Sequence, residues 1–199
     1  NTTYFFRART AGNGNTTAYT NLGSTSTLAL PPATVVSTFS FVGISSFTVF
    51  WSANGNRISV TTYTVQVSTD VNNFSAAFSQ DVTTAPAGAN PQYTFTGLNA
   101  NTTYFFQVGA LNHNSVPTSF VPLGSTITFA SPPVSLANAF LSVQAATVTV
   151  AWAALPNVSM ATTCEGYVRE ISSTNFGVLS PGGVINSSAT TSVLASTLT

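Results

Sequence analysis

Few residues in this sequence have side chains that could carry out chemistry. The single histidine, the single cysteine and the acidic residues are His113, Cys164, Asp70, Asp81, Glu165 and Glu170. A serine hydrolase triad would need His113 beside a carboxylate and an activated serine. His113 instead lies in the segment Leu-Asn-His-Asn-Ser-Val-Pro, which is typical of an exposed loop. We therefore expect His113 to be a solvated loop residue.

The carboxylates and the thiol give no stronger indication of catalysis. Asp70 and Asp81 flank a predicted hairpin, and paired carboxylates catalyse proton transfer only in tuned surroundings. Glu170 lies beside Arg169, which favours a local surface ion pair. Cys164 is predicted to be a buried free thiol, with an intermolecular disulfide as the alternative. The sequence thus predicts a protein that is not an enzyme, with no catalytic residue, cofactor or metal ligand.

Charged residues are scarce, and this scarcity excludes some classes of binding partner. Charged residues are 4% of the chain, the net charge is zero and lysine is absent. Without a basic patch we expect no nucleic acid partner and no attraction to anionic membranes. No apolar run approaches the roughly 18–20 residues of a membrane span, so membrane insertion is not expected either. Polarity comes from Ser, Thr and Asn, a composition that favours an extracellular or cell-surface protein.

Triplets for N-linked glycosylation are numerous. Six asparagines stand in Asn-x-Ser/Thr triplets: Asn1, Asn15, Asn73, Asn101, Asn157 and Asn186. These asparagines are possible glycosylation sites. The alternative is that a chain rich in Asn and Thr produces such triplets by chance.

An internal repeat organises the chain. The six residues Asn-Thr-Thr-Tyr-Phe-Phe occur at Asn1–Phe6 and again at Asn101–Phe106. Trp51 corresponds in the same way to Trp152. A period of about 100 residues is the length of one domain, so the chain is predicted to consist of tandem domains.

Within a repeat, apolar residues alternate with polar ones. Tyr63, Val65 and Val67 alternate with Thr64 and Gln66, which is the period of a strand with one buried face. Turn residues such as Asn54-Gly55-Asn56 separate these runs. Short strands at this spacing predict an all-β fold of two antiparallel sheets packed as a sandwich.

One segment carries a family resemblance. Leu98–Ala110, with the letters LNANTTYFFQVGA, closely resembles strand F of fibronectin type III domains. The resemblance implies tandem immunoglobulin-like (fibronectin type III-like) sandwiches, with Tyr104 as the tyrosine-corner residue and Trp51 as a core tryptophan. A departure is Arg169, which occupies the inward position of Val65 in the other copy. The expected core residues are Trp51, Trp152, Tyr4, Tyr104, Tyr63, Tyr167, Leu98, Leu198 and Phe106.

The repeat predicts three domain segments. Residues 1–30 hold strands F and G of a partial domain, residues 31–132 a complete domain, and residues 133–199 strands A to E of another partial domain. Three explanations remain open. A head segment completes the next chain's tail by donor-strand complementation; the chain is one repeat cut from a longer tandem polypeptide; or the head folds back onto its own tail. The first two produce a head-to-tail polymer.

Three phenylalanines are predicted to point away from the core. Phe5 and Phe105 occupy the same outward position of strand F in two copies, and Phe50 faces outward on another strand. Exposed large apolar residues often form contact surfaces, so these are possible assembly contacts. The alternative is that neighbouring side chains cover them.

The family resemblance does not fix a function, because the fold serves many roles. The predicted function is a structural subunit or repeating unit of an extracellular or cell-surface filament. Its expected partners are copies of itself, or further repeats of the same chain. The alternative is a spacer, or a carbohydrate-binding or protein-binding segment of a larger secreted adhesin or polysaccharide-degrading enzyme.

Overall fold

The structure is a computed structural model that describes residues 1–75, 78–83, 89–153, 155, 164, 166–170, 184–185 and 192–196. The predicted core residue Leu198, the triplet residues Asn157 and Asn186, and Glu165 lie outside the described residues. The fold is all-β, as predicted, and the described part of the chain contains no helix. No helix in that part is therefore long and apolar enough to cross a membrane.

The chain forms two compact units. Unit 1 comprises Asn1–Phe41, Phe47–Phe95 and Tyr104–Thr126, and unit 2 comprises Val42–Ser46, Thr96–Thr103 and Ile127–Thr199. The strands that lie wholly or mainly in unit 1 are β1 (Thr3–Ala8), β2 (Ala11–Gly12), β3 (Asn15–Thr16), β4 (Thr20–Ser26), β5 (Phe39–Ser40), β6 (Ser46–Phe50), β7 (Thr62–Ser68), β8 (Phe78–Val82), β9 (Gln92–Thr96), β10 (Thr103–Leu111) and β11 (Val121–Ile127). Those of unit 2 are β12 (Val134–Val143), β13 (Thr147–Ala153), β14 (Tyr167–Val168), β15 (Val184–Ile185) and β16 (Ser192–Ser196).

The sandwich of unit 1 has one sheet of three strands, in the order β5-β6-β9, and one of four, in the order β11-β10-β7-β8. Burial along β7 alternates residue by residue, because every second side chain points into the sandwich. The inner faces meet through aromatic rings: the centroid of Phe106 lies 5.1 Å from Phe39 and 5.8 Å from Phe47. The largest fully buried side chains are Trp51, Tyr63, Phe47, Phe95 and Phe106.

Strands β1 and β4 form an antiparallel hairpin, a sheet of two strands. The register shifts between Phe6 and Arg7, which indicates a bulge. Tyr4 is 52% exposed and Phe6 is 51% exposed. Tyr4, which the sequence predicts as a core residue of a partial domain, is thus about half exposed within this chain.

The repeat is visible in the geometry as well as in the sequence. In the first copy, Thr27 N donates to Thr2 O and Thr2 N donates to Thr27 Oγ1, both at 3.0 Å. In the second copy, Thr128 N donates to Thr102 O at 3.1 Å and Thr102 N donates to Thr128 Oγ1 at 2.9 Å. A pair of threonines thus ends the hairpin in the same way in both copies.

Unit 2 contains a three-stranded sheet in the order β12-β13-β16 and the separate strand pair β14-β15. The rings of Trp152 and Tyr167 lie 5.1 Å apart at 61°, close to the 5.7 Å and 62° of Trp51 and Tyr63 in unit 1. Tyr167 packs in a small core with Leu155 and Cys164. Cys164 is a buried free thiol, as predicted.

Candidate functional site

Five asparagines connect the β1–β4 hairpin and the segment after it to two loops of the unit 1 sandwich. We call this group the asparagine joint, and its members are Asn1, Asn54, Asn56, Asn112 and Asn114. One loop follows β6 and the other connects β10 to β11. The joint lies within unit 1.

Asn56 holds the segment that follows β4. Its side chain is buried, with Oδ1 accepting from Leu30 N at 2.9 Å and Nδ2 donating to Leu30 O at 2.7 Å. The same Nδ2 donates to Ala53 O at 2.9 Å. The carboxamide therefore pairs with both backbone groups of Leu30, as a neighbouring strand would.

The loop around Asn56 is a tight turn that depends on its residue types. Asn54 has φ of 48° and Gly55 has φ of 84°, while Asn56 N donates to Ala53 O at 3.0 Å. Two successive positive φ angles favour Asn-Gly, because glycine and asparagine tolerate the left-handed region. The turn points Asn54 Nδ2 at Pro31 O, 2.8 Å away. The turn thus binds two successive residues of the connecting segment.

Asn112 organises the second loop and reaches the hairpin. Its side chain is buried, and its Oδ1 accepts from Asn114 N at 3.0 Å and Val116 N at 2.8 Å. Its Nδ2 donates to Ser26 O at 3.3 Å and to Thr27 O at 3.4 Å. Asn114 Oδ1 accepts from Ser26 N at 2.9 Å. Both backbone groups of Ser26 at the end of β4 are therefore bound by this loop.

Asn1 and His113 complete the joint beside β1. Asn1 Oδ1 accepts from His113 N at 3.0 Å, and Asn1 Nδ2 donates to Leu111 O at 3.4 Å and to Thr61 Oγ1 at 3.5 Å. Thr3 Oγ1 and His113 Nδ1 share a hydrogen bond of 3.1 Å. His113 is exposed, as predicted for a loop, but the structure also places it in a contact that its sequence context did not indicate.

The joint is built from neutral hydrogen bonds. A buried amide that loses its partner costs about 1–3 kcal/mol, so Asn56 and Asn112 tie the position of the hairpin to the fold of the loops. No carboxylate contributes to the hydrogen bonds described above. The asparagine joint fixes the position of the β1–β4 hairpin relative to the loops of the unit 1 sandwich.

The remaining predicted residues are distributed over the two units. Tyr104, Tyr167, Trp51, Tyr63 and Phe106 are buried, while Trp152 and Leu98 are partly buried. Of the outward phenylalanines, Phe5 is 84% exposed, and Phe50 and Phe105 are partly buried. Asn15 and Asn73 are exposed, and Asn101 is partly buried.

The acidic residues are not brought together. Asp81 Oδ1 accepts from Thr64 Oγ1 at 2.6 Å, and Asp70 Oδ1 accepts from Asn72 N at 2.9 Å, at different ends of β7. Among the described residues, no group of three histidine, cysteine or acidic side chains could hold a metal ion. The buried Arg169 Nε has no hydrogen-bond partner within the described residues.

Unit 2 contains an apolar cavity of about 350 Å³ beside Trp152 and Tyr167. Its other lining residues include Val134, Val150 and Arg169. Tyr167 pairs with Ile185 on one side of β14, just as Tyr63 pairs with Val82 of β8. In unit 1 the other side of Tyr63 is occupied by β10, through Ala110, whereas no strand in the described part of unit 2 takes that place beside Tyr167.

Comparison with known proteins gives matches of fold and none of curated function. The family model "Fibronectin type III domain" matches residues 31–121. A segment of two fibronectin type III domains from chicken tenascin is similar over 84% of this chain and 83% of that chain, at 14% identity and a TM-score of 0.46. The fn3 domain of the human collagen alpha-1(XX) chain is similar over 56% of this chain and 96% of that chain, at 20% identity and a TM-score of 0.40.

The comparison with curated proteins found no match. The matched range contains the turn of Asn54 and Asn56 and the loop of Asn112. The part of the chain that carries these loops of the asparagine joint, residues 31–121, is therefore similar to a fibronectin type III domain.

Proposed function

We propose that this protein is a structural, non-enzymatic component of an extracellular or cell-surface filament. In this proposal β-sandwich units follow one another head to tail, and each junction is held stiff by an asparagine joint. The observation that carries the proposal is the double attachment of the hairpin, at Ser26 by Asn112 and Asn114 and at Leu30 by Asn56. A location outside the cell agrees with the fibronectin type III match, since such domains are typical of extracellular and surface proteins.

Two attachment points restrict a junction more than one does. A single contact would leave a hinge, whereas bonds to two separate loops oppose rotation about either of them. Pro31 and Pro32 follow Leu30 directly, and their fixed φ angles further limit the connecting segment. We infer a semi-rigid array, which suits a load-bearing or spacing role.

The apolar cavity of unit 2 and the β1–β4 hairpin support the head-to-tail arrangement. The hairpin presents exposed Tyr4 and Phe6, which correspond in the repeat to the buried Tyr104 and Phe106 of β10. The cavity is lined by Tyr167, which has no strand beside it in the described part of unit 2 where Tyr63 of unit 1 has β10. In this proposal the hairpin of one unit covers the cavity of its neighbour, whether the neighbouring units belong to one polypeptide or to two.

The stiffness of the joint is tested by residual dipolar couplings on the full chain. We expect the β1–β4 hairpin and the unit 1 sandwich to share one alignment tensor. The double variant Asn56→Ala/Asn112→Ala should separate the two tensors, and Asn73→Ala, which changes an exposed asparagine elsewhere, should not. Separate tensors in the unaltered chain would contradict a rigid joint.

The filament itself is tested on native material by electron microscopy, followed by mass determination after boiling and reduction. Fibres that dissolve into single 199-residue chains would indicate donor-strand exchange between subunits. Fibres that yield a mass many times larger would indicate a covalent tandem. Absence of fibres would contradict the filament and favour a spacer segment of a larger secreted protein.

A further inference from the structure

Two arginines of the hairpin converge on one tyrosine. The guanidinium carbon of Arg7 lies 4.0 Å from the centroid of the Tyr19 ring, and that of Arg9 lies 4.8 Å from it. Arg9 Nη1 also donates to Thr16 Oγ1 at 3.3 Å. Contact with an aromatic face restricts a guanidinium and leaves N–H groups at its edge free to bind an anion. We call Arg7, Arg9 and Tyr19 the arginine cluster.

The arginine cluster has no counter-charge of its own. The first acidic residue in the sequence is Asp70, and neither arginine forms an ion pair with any part of the chain that the structure describes. All three side chains are exposed. The hairpin therefore carries a local positive charge on a protein with almost no other charge.

An equally unpaired carboxylate lies on the sandwich. Asp81 is exposed on β8, the outermost strand in the order β11-β10-β7-β8. Its carboxylate is oriented by Thr64 Oγ1, which donates at 2.6 Å. No arginine of the described residues forms an ion pair with it. A strand at the edge of a sheet presents backbone groups to which another strand can be added.

We propose that the arginine cluster of one copy binds Asp81 of a second copy lying beside it, so that the hairpin edge of one chain meets the β8 edge of the other. This inference rests on the proposed filament and names its side-to-side contact. The chain has four arginines and four acidic residues, so pairing between copies neutralises charges that have no partner within a copy. A second copy is thus a partner that supplies the opposite charge for the arginine cluster and for Asp81.

Geometry selects Asp81 over Asp70. Arg7 and Arg9 are two residues apart on or beside one strand, which separates them by about 7 Å. The cluster is therefore wide enough to bind one carboxylate at a time. Asp81 pairs with Thr64, whereas Asp70 follows the end of β7 and lies more than about 13 Å further along the sheet. Asp70 lies in the turn after β7, where its Oδ1 accepts from Asn72 N, and so it is not on the outermost strand β8.

One such contact contributes little free energy, but many repeated contacts between two arrays together stabilise their association. Exposed ion pairs contribute about 0–1 kcal/mol each and weaken as salt is added. In an array the contacts repeat along both neighbours, so the second and later pairs form at high effective concentration. A surface with 4% charged residues offers few competing pairings, which favours one register.

The test uses the full chain and matched neutralising variants. Sedimentation at low salt measures association between copies, and the width of any fibres measures it in an assembled state. Asp81→Asn should weaken association about fivefold, as loss of one exposed pair would, and Asp70→Asn should leave it unchanged. Arg7→Gln/Arg9→Gln should weaken it at least as much, and Arg57→Gln, an exposed arginine outside the cluster, should not.

Charge reversal gives the sharpest outcome. Arg7→Asp/Arg9→Asp and Asp81→Arg should each abolish association alone, and a mixture of the two should restore it. Equal effects of Asp70→Asn and Asp81→Asn, or no rescue in the mixture, would overturn the contact while leaving fibre length, and so the filament, intact. Binding of soluble polygalacturonate to the arginine cluster, with association between copies unaffected by Asp81→Asn, would also overturn it and indicate a foreign acidic ligand.

Discussion

The side chain of Asn56 binds both backbone groups of Leu30, accepting from its N–H at 2.9 Å and donating to its carbonyl at 2.7 Å. The two residues are 26 positions apart: Asn56 lies in the loop after β6, and Leu30 lies in the segment that follows β4. One carboxamide thereby forms the two backbone hydrogen bonds that a neighbouring strand forms in a sheet. Because Asn56 also bonds Ala53 O, its turn and its target are fixed together.

Replacing Asn56 tests this pairing. Asn56→Ala removes three hydrogen bonds and should lower the free energy of unfolding by about 1–3 kcal/mol, since polar groups are left without partners. Asn56→Asp keeps the shape but cannot donate to Leu30 O while ionised, so it should be at least as destabilising at pH 7. At pH 3 the protonated carboxyl can donate again, and part of the stability should return. Chemical denaturation at both pH values measures this, and a pH-independent loss in Asn56→Asp would contradict the donor role.

Replacing Asn112 should change amide hydrogen exchange at more positions than replacing Asn114. Asn112→Ala removes the acceptor that orders its own loop, as well as two long bonds to the hairpin. Asn114→Ala removes one bond to Ser26 N and leaves the loop ordered. We expect faster amide hydrogen exchange at Val116 and Ser26 in the first variant, and at Ser26 alone in the second. Equal exchange at Val116 in both variants would show that Asn112 does not organise the loop.

The strands were predictable because their signal is local. In β7, Tyr63, Val65 and Val67 point inward and the residues between them do not, which follows directly from the period of two in the sequence. The asparagine joint was not predictable in this way. Its bonds to the hairpin and to the segment after it connect residues 23 to 112 positions apart, and an asparagine that spans two elements looks, in the sequence, like one that faces solvent.

Tyr4 and Tyr104 show the limit of local reasoning most clearly. Both lie in the sequence Asn-Thr-Thr-Tyr-Phe-Phe and both begin a strand, yet Tyr104 is 7% exposed and Tyr4 is 52% exposed. Tyr104 and the neighbouring Phe106 contact aromatic rings of the other sheet, including Phe47 of β6, whereas Tyr4 lies in a sheet of two strands. Burial is thus decided by what a strand packs against, and the repeat pattern alone does not contain that information.

Tyr63 should make the protein sensitive to alkaline pH. Burial raises the pKa of Tyr63 above 10.0, and Asn56 opposes this rise only in part. Above about pH 10 the unfolded chain releases a proton that the folded chain retains, so stability should fall as the pH rises from there. Tyr63→Phe should flatten that decline, and Tyr4→Phe, at an exposed tyrosine, should not. Denaturation midpoints between pH 8 and 11 measure the effect.

The same variant tests an unusual feature at neutral pH. The Tyr63 hydroxyl is buried without a hydrogen bond of good geometry to any described residue, although Asn56 lies close enough to affect its pKa. An unpaired buried hydroxyl costs free energy, so Tyr63→Phe should leave stability at pH 7 unchanged or raise it by up to about 1 kcal/mol. A clear loss at pH 7 would mean that the hydroxyl has a partner in solution, such as water.

The asparagine joint should also decide which triplets accept a glycan on the folded chain. Sugar is attached to Nδ2, and Nδ2 of Asn1 already donates to Leu111 O and Thr61 Oγ1. Asn15 and Asn73 are exposed, and Asn73 lies in the loop between β7 and β8. Treatment of the folded chain with an N-glycosylating enzyme should therefore modify Asn15 and Asn73, whereas Asn1 should react only after unfolding in urea. Glycopeptide mass spectrometry measures the occupancies, and modification of folded Asn1 as fast as Asn73 would mean that the joint opens readily, which a stiff junction does not allow.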